Sequence, residues 1–242
     1  MTGGCVGNAL GIDVSRYNGL VNWQNAAAQG IRFAGIRVCI SWAYRDPFGA
    51  ANLSGAADAG IHRIAYHVLY PGESARRQAD NYLATTAGAD CWPALDLELD
   101  HGQTPAHITD TTLDWCNIVE SSTGMRPILY SRAGWVNEHM TAGSWRNDYH
   151  WWLASYNANR TTERPAPPVL PSGVHTWLIH QNSDKIPAPA GLQSGGIMTC
   201  DVNRWNGDDA AVDAWFGGGT TWEQSIDAWA RTLGYTGRGP DD

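Results

Sequence analysis

No apolar run in the 242 residues approaches the roughly 20 needed to cross a bilayer, so no membrane partner is expected. Met1 to Gly11 has neither a basic start nor an apolar stretch, and no signal peptide is expected there. The five cysteines, Cys5, Cys39, Cys91, Cys116 and Cys200, are scattered and form no CxxC. Metal-ligand spacing is therefore lacking, and buried free thiols are expected, with no metal and no cofactor. There is no GxSxG elbow and no HExxH, and the eight histidines are dispersed. Gly217-Gly218-Gly219 lacks the lysine of a phosphate loop. A net charge of −8 argues against a nucleic-acid partner held through phosphates. No tandem repeat of about 20–50 residues is visible.

What is present is a core-forming chain, 43% apolar and 17% charged, of a length that α/β barrels commonly reach. Strand and helix patterns alternate. Strands are expected at Leu10–Ser15, Phe33–Ser41, His62–Tyr70, Trp92–Asp100 and Pro127–Ser131. Helices are expected at Asn22–Gly30, Asn52–Gly60, Glu73–Ala87, Pro105–Ser122, with Thr104 as its cap, and Ala133–Trp145. Three more strands follow without helices, at Tyr149–Tyr156, His175–Gln181 and Ile197–Trp205, separated by proline-bearing loops. Five strand–helix units imply a parallel sheet, and eight strands suggest that it closes.

One stretch stands out. Pro93-Ala94-Leu95-Asp96-Leu97-Glu98-Leu99-Asp100 alternates apolar and acidic residues, the two-residue period of a strand. Its three acids would share one face, with leucines on the other. Like charges so close cost stability, but they also split the pKa values of neighbouring carboxyls. Cleavage of a glycosidic bond uses that split: one carboxyl donates a proton to the leaving oxygen, and a negative group stabilises the sugar centre. A charged outer strand is the alternative. In a parallel barrel, reactive groups collect at the C-terminal strand ends. Asp13, Ser15, Tyr66, His67, Asp96, Glu98, Tyr130, Tyr156, Gln181, Asp201 and Asn203 all fall near such ends. Any one could be an ordinary cap, and His67 is read as a hydrogen-bonded core histidine.

The 13 tryptophans could offer platforms for sugar rings, although at least half are expected in the core. After Gly217, Trp222, Ile226, Trp229 and Leu233 form an amphipathic stripe. The expected domains are a barrel over 1–216 and, over 217–242, a glycine linker, a helix and a disordered end.

Taken in series, several blocks carry a resemblance. Gly11-Ile12-Asp13-Val14-Ser15-Arg16-Tyr17-Asn18-Gly19, Asp96 with Glu98, Tyr130-Ser131 followed by Trp135, Trp152-Leu153-Ala154-Ser155-Tyr156, and Asp201-Val202-Asn203 resemble family 25 of the glycoside hydrolases, the Chalaropsis-type lysozymes. The resemblance covers roughly Leu10 to Phe216. It implies an irregular (β/α)5(β)3 TIM-like barrel and N-acetylmuramidase activity on peptidoglycan. It also implies Glu98 as general acid, Asp96 assisting a substrate-assisted mechanism, and Asp13 and Asp201 as supporting acids. Tyr66, Tyr130, Trp152, Tyr156, Gln181 and Asn203 would line the sugar cleft. An aromatic commonly follows the glutamine in that family; here it is Asn182. The expected enzyme is a monomer, made in the cytoplasm and acting on the cell wall by phage-type release or within a larger protein, with secretion by another route as the alternative. A non-catalytic glycan-binding barrel and a chitinase-like enzyme are the alternatives, the latter disfavoured because no DxxDxDxE run is present.

Overall fold

The computed structural model describes residues 7–156, 165–187 and 199–217. Cys5 and the tail expected beyond Gly217 lie outside them. The elements in chain order are β1 (Leu10–Val14), α1 (Trp23–Ala28), β2 (Ile31–Ile40), β3 (Tyr44–Arg45), α2 (Gly49–Asp58), β4 (His62–Val68), α3 (Ala75–Thr86), β5 (Trp92–Asp96), α4 (Pro105–Thr123), β6 (Ile128–Ser131), α5 (Ala133–His139), β7 (Trp151–Ala154), β8 (Ile179–Pro187), β9 (Thr199–Trp205) and α6 (Asp209–Gly217). Strand order is β1-β9-β8-β7-β6-β5-β4-β2, and β1 pairs again with β2, closing an eight-strand barrel. Strand β3 is a short hairpin partner on β2.

Local sequence sets the helix ends. Asn22, Ser74 and Thr104 cap α1, α3 and α4 through side-chain oxygens. Pro105 opens α4 without forfeiting a hydrogen bond, and Gly124 ends it in the left-handed conformation.

Strand periodicity sorts the side chains into two layers. Ala34, Ile36, Ala65, Leu95, Leu129 and Leu153 face outward and meet α-helical Ala26, Leu53, Ala56, Tyr82, Trp115 and Val119. Phe33, Ile64, Trp92, Ile128, Trp152 and Trp205 face the lumen. Two glycines make this possible. A Cβ on Gly11 would strike the Phe33 ring, and one on Gly35 would strike Trp152.

The structure departs from the sequence expectation in five places. The seventh expected strand, now β8, starts only at Ile179 and runs on to Pro187. The fourth expected strand, now β5, ends at Asp96, so Glu98 and Asp100 lie on the loop beyond it. Its pairing extends only through the Leu97 amide to Tyr130 O. The last strand, β9, runs antiparallel to both neighbours, so the sheet is mixed. Helix α5 stops at His139, and a 3-10 turn at Ser144–Asn147 takes the rest. Finally, α6 follows β9 where no helix is expected. It lays Ala211, Val212 and Trp215 across the base of the lumen.

The cysteine expectation holds within the described residues: Cys39, Cys91, Cys116 and Cys200 are buried and free. His67 is also a core residue. It points outward, lies 3.0 Å from Cys39 Sγ, bonds Gln78 and stacks on Trp115, and burial lowers its pKa to about 4.

Candidate active site

At the barrel mouth a cavity of about 160 Å³ is lined by Asp13, Arg37, Tyr66, Asp96, Glu98, Tyr130, Trp152 and Asp201. Each lining residue on a strand obeys the inward period. Asp13 stands two residues above Gly11, Arg37 two above Gly35, Tyr66 two above Ile64, and Asp96 two above Ala94. Asp201 arrives from the other direction. Because β9 is antiparallel, residues near its start face the end of β1, and Asp201 pairs directly with Asp13.

Beneath the acids lies a web of committed hydrogen bonds. Asn203 Nδ2 and Gln181 Nε2 both donate to Asp13 Oδ2, at 2.7 and 2.9 Å. The hydroxyls of Tyr130 and Tyr156 donate to Gln181 Oε1, at 2.9 and 2.7 Å. Trp152 Nε1 donates to Asn203 Oδ1 at 2.7 Å, and its ring meets Tyr66 and Tyr130 edge-on. Each amide is thus fixed in orientation by donors on one side and an acceptor on the other.

This web alters one expectation. Gln181 and Asn203 are 1% and 0% exposed and do not line the cavity; they hold Asp13 from below. The antiparallel run of β9 sinks Asn203 one pleat deeper than Asp201. Tyr156 is exposed and stands apart from the cavity wall. Tyr66, Tyr130 and Trp152 are in the wall. Asp100 is not: its Oδ1 accepts from the Gly102 amide in the loop turn.

Crowded, half-dry acids hold protons. Burial raises the pKa of Asp13, opposed by its bonds from Asn203, Gln181 and Asp201. Asp201 is pushed up to about 8, first by burial and then by Asp13. Asp96 is raised well above the usual carboxyl range. Burial leads, Glu98 and Asp13 add to it, and Arg37 opposes. Glu98 rises as well through burial, opposed by Arg132, whose Nε lies 3.8 Å from Glu98 Oε1. Both carboxyls of the pair are thus held above the usual carboxyl range.

Sequence reasoning missed Arg37 and Asp46. Arg37 Nε bonds Asp46 Oδ2 at 2.9 Å, and both are buried. Asp46 also accepts from the amides of Arg16 and Phe48. The available signal was the one arginine at an inward position of a largely apolar strand. Among the described residues, two buried polar atoms in the cavity wall, Arg37 Nη2 and Asp96 Oδ1, have no partner. A donor and an acceptor are thus left for a ligand.

Comparisons with known proteins agree with this geometry. The sequence profile of Glycosyl hydrolases family 25 matches residues 12–190. An uncharacterized protein of Escherichia coli (strain K12), YegX, is 31% identical over 215 residues, covering 86% of this chain and 73% of YegX. Lysozyme M1 of Streptomyces globisporus is 29% identical over 219 residues, covering 84% of this chain and 69% of that one. The crystal structure of a bacterial lysozyme from Streptomyces coelicolor superposes with a TM-score of 0.71 at 25% identity, covering 83% of this chain and 93% of that one. Its profile match spans most of the barrel, and the acids on β1, β5 and β9 converge at one mouth; the chain belongs to family 25 of the glycosyl hydrolases and is a glycoside hydrolase.

Proposed function

We propose that the enzyme is a peptidoglycan N-acetylmuramidase, cleaving the β-1,4 bond between N-acetylmuramic acid and N-acetylglucosamine in bacterial cell walls. Glu98 is the general acid. It stands at the cavity edge, where a glycosidic oxygen can reach it. Asp96 lies deeper and assists.

The observation that carries this reading is the pairing of Asp96 and Glu98, both with raised pKa, beside an unpartnered Asp96 Oδ1. A substrate acetamido N–H donating to Oδ1 favours the charged form of Asp96. Asp96 is then held ionised, and Glu98, dehydrated by the glycan, is the carboxyl that carries the proton. Glu98 gives that proton to the leaving oxygen as the C1–O bond breaks. The acetamido carbonyl oxygen bonds to C1 in its place, with Asp96 balancing the positive charge that develops on the ring. Ionised Glu98 then takes a proton from a water that attacks C1 and reopens the ring. This is the substrate-assisted variant of the two-carboxyl scheme. Asp13 and Asp201 share a proton beside the pair and hold the local field negative. The lysozyme names of the relatives support the substrate class, and the cell wall is the proposed site of action.

The test is digestion of purified peptidoglycan, borohydride reduction of the products and mass analysis of their ends. Reduced muramic acid ends are expected. Reduced glucosamine ends would overturn the bond assignment. No cleavage, with the protein still bound to the wall, would favour a glycan-binding barrel instead.

A further inference from the structure

Beside the catalytic cavity, and sharing Arg37 with it as a wall, runs an open groove of about 490 Å³. Arg16, Tyr17, Trp42, Tyr44 and Tyr70 line it. Three features set it apart from ordinary surface.

First, Arg16 is a fixed cation. Its guanidinium donates to the hydroxyls of Tyr17 and Tyr44, at 3.1 and 3.5 Å, and lies over both rings, 4.9 and 5.8 Å from their centroids. Yet no carboxylate of the described residues lies within ion-pair distance of it, in a chain of net charge −8. Tyrosines orient this arginine without neutralising it.

Second, the groove's aromatic edge is held open. Tyr17 is 73% and Trp42 44% exposed. Trp42 follows Ser41, one of only two described non-glycine residues at positive φ (56°). Asn81 pins that hairpin by bonding both Ser41 O and Tyr44 O. Backbone strain of this kind persists where the surroundings over-determine it, commonly at binding sites. Arg77 covers one face of Trp42, 3.8 Å from the ring centroid.

Third, the wall shared with the catalytic cavity carries the unpartnered Arg37 Nη2. A chain passing from the acids into the groove meets this donor before it reaches Arg16.

We propose that the groove is a subsite for the carboxylate-bearing lactyl-peptide arm of the glycan, with Arg16 receiving the carboxylate and Trp42 carrying the apolar face of the arm or its sugar. This rests on the peptidoglycan reading above. A neutral glycan would have no use for an oriented, unneutralised cation. A carboxylated arm does, and a planar guanidinium suits it. The acidic mouth repels the same arm, so the two regions together set which way the strand lies.

The test uses sacculi stripped of wall phosphate polymers with hydrofluoric acid, either native or with their carboxyls amidated by carbodiimide and ammonium chloride. Binding is measured by co-pelleting in a Glu98→Gln background, so that it does not depend on cleavage. Adding Arg16→Ala should weaken binding to native sacculi by about threefold to tenfold, the range of one partly exposed charged hydrogen bond. On amidated sacculi the parent should fall to the level of the Arg16→Ala protein, and the two should coincide. Arg16→Lys should recover part of the loss. Trp42→Ala should weaken binding to both substrates equally. Arg76→Ala removes the same charge from an outer helix face, where it pairs with Asp80; it should match the parent on both. Equal binding by the parent and Arg16→Ala on native sacculi would overturn the proposal. So would the same fold loss on both substrates. Failure of the muramidase reading would show separately, as an absence of reduced muramic acid ends from the Glu98-intact enzyme.

Discussion

At the base of the lumen Trp92, Trp205 and Trp215 pack with Phe33, ring centroids 4.8 to 5.6 Å apart. At the other end of the same strands Asp13, Asp96, Glu98 and Asp201 face one another. The floor is a well-packed aromatic plug. The mouth gathers like charges with one buried arginine, and each carboxyl there costs solvation energy when ionised. Between them Trp152 serves both ends: its ring fills the space left by Gly35, and its indole N–H anchors the web under Asp13. The contrast teaches that stability and chemistry are separated along the lumen axis. Substitutions at the two ends should therefore fail in opposite ways.

The largest effect belongs to Glu98→Gln. It keeps the shape and removes the proton donor, so the cleavage rate should fall by at least about 10³. The melting temperature should hold or rise, because one of several mutually repelling carboxyls is gone. Activity above a few per cent of wild type would remove Glu98 from the acid role. Asp96→Asn should cost about 10² to 10³, again without loss of fold, checked by product release and thermal melting together.

Trp215→Ala is the converse. It opens the floor and should cost about 3–5 kcal/mol, or roughly 10 °C in melting temperature for a chain of this size. The rate at 25 °C should stay within about twofold, the cavity lying at the other end. A large rate loss at full folding would break the separation.

Gln181→Ala tests the web between the two. It removes the acceptor of two tyrosine hydroxyls and one donor to Asp13. A loss of about tenfold in kcat/KM is expected, near 1–2 kcal/mol. Wild-type kinetics would show that the web is only structural.

The smallest effect is a pH dependence. The Asp201 carboxyl has its folded pKa at about 8, above the unfolded value of 3.8. The folded state therefore binds more protons between those values, so stability falls as pH rises through that window. Asp201→Asn should reduce the drop in melting temperature between pH 5 and pH 8. An unchanged drop would place the proton elsewhere.

Much of this was legible in the sequence. The period of two in Ala94-Leu95-Asp96 placed Asp96 inward, and Asn22 and Thr104 marked helix starts. The end of β5 was not legible, because the alternation runs on through Glu98 and Asp100 while the pairing partners stop. The direction of β9 was hidden for a related reason. A period of two reads the same both ways, and only pairing to β1 and β8 reveals that Asp201 comes before Asn203 from the mouth downward. That reversal turned Asn203 from a cleft residue into a support. Trp42 and Arg16 carried no strand signal, and their groove runs beside a hairpin that Asn81 on α3 pins through two hydrogen bonds.

The claim tested most directly is that the carboxyls gathered at the mouth, Asp96 and Asp201 among them, titrate above the usual carboxyl range. A carbon-detected NMR titration of the Asp and Glu carboxyls measures this directly. The account predicts that Asp96 and Asp201 titrate well above the ordinary range, Asp201 near pH 8, and that Asp96 shifts further in Glu98-intact protein than in Glu98→Gln. All four cleft carboxyls ionised below about pH 5, as ordinary carboxyls are, would contradict it.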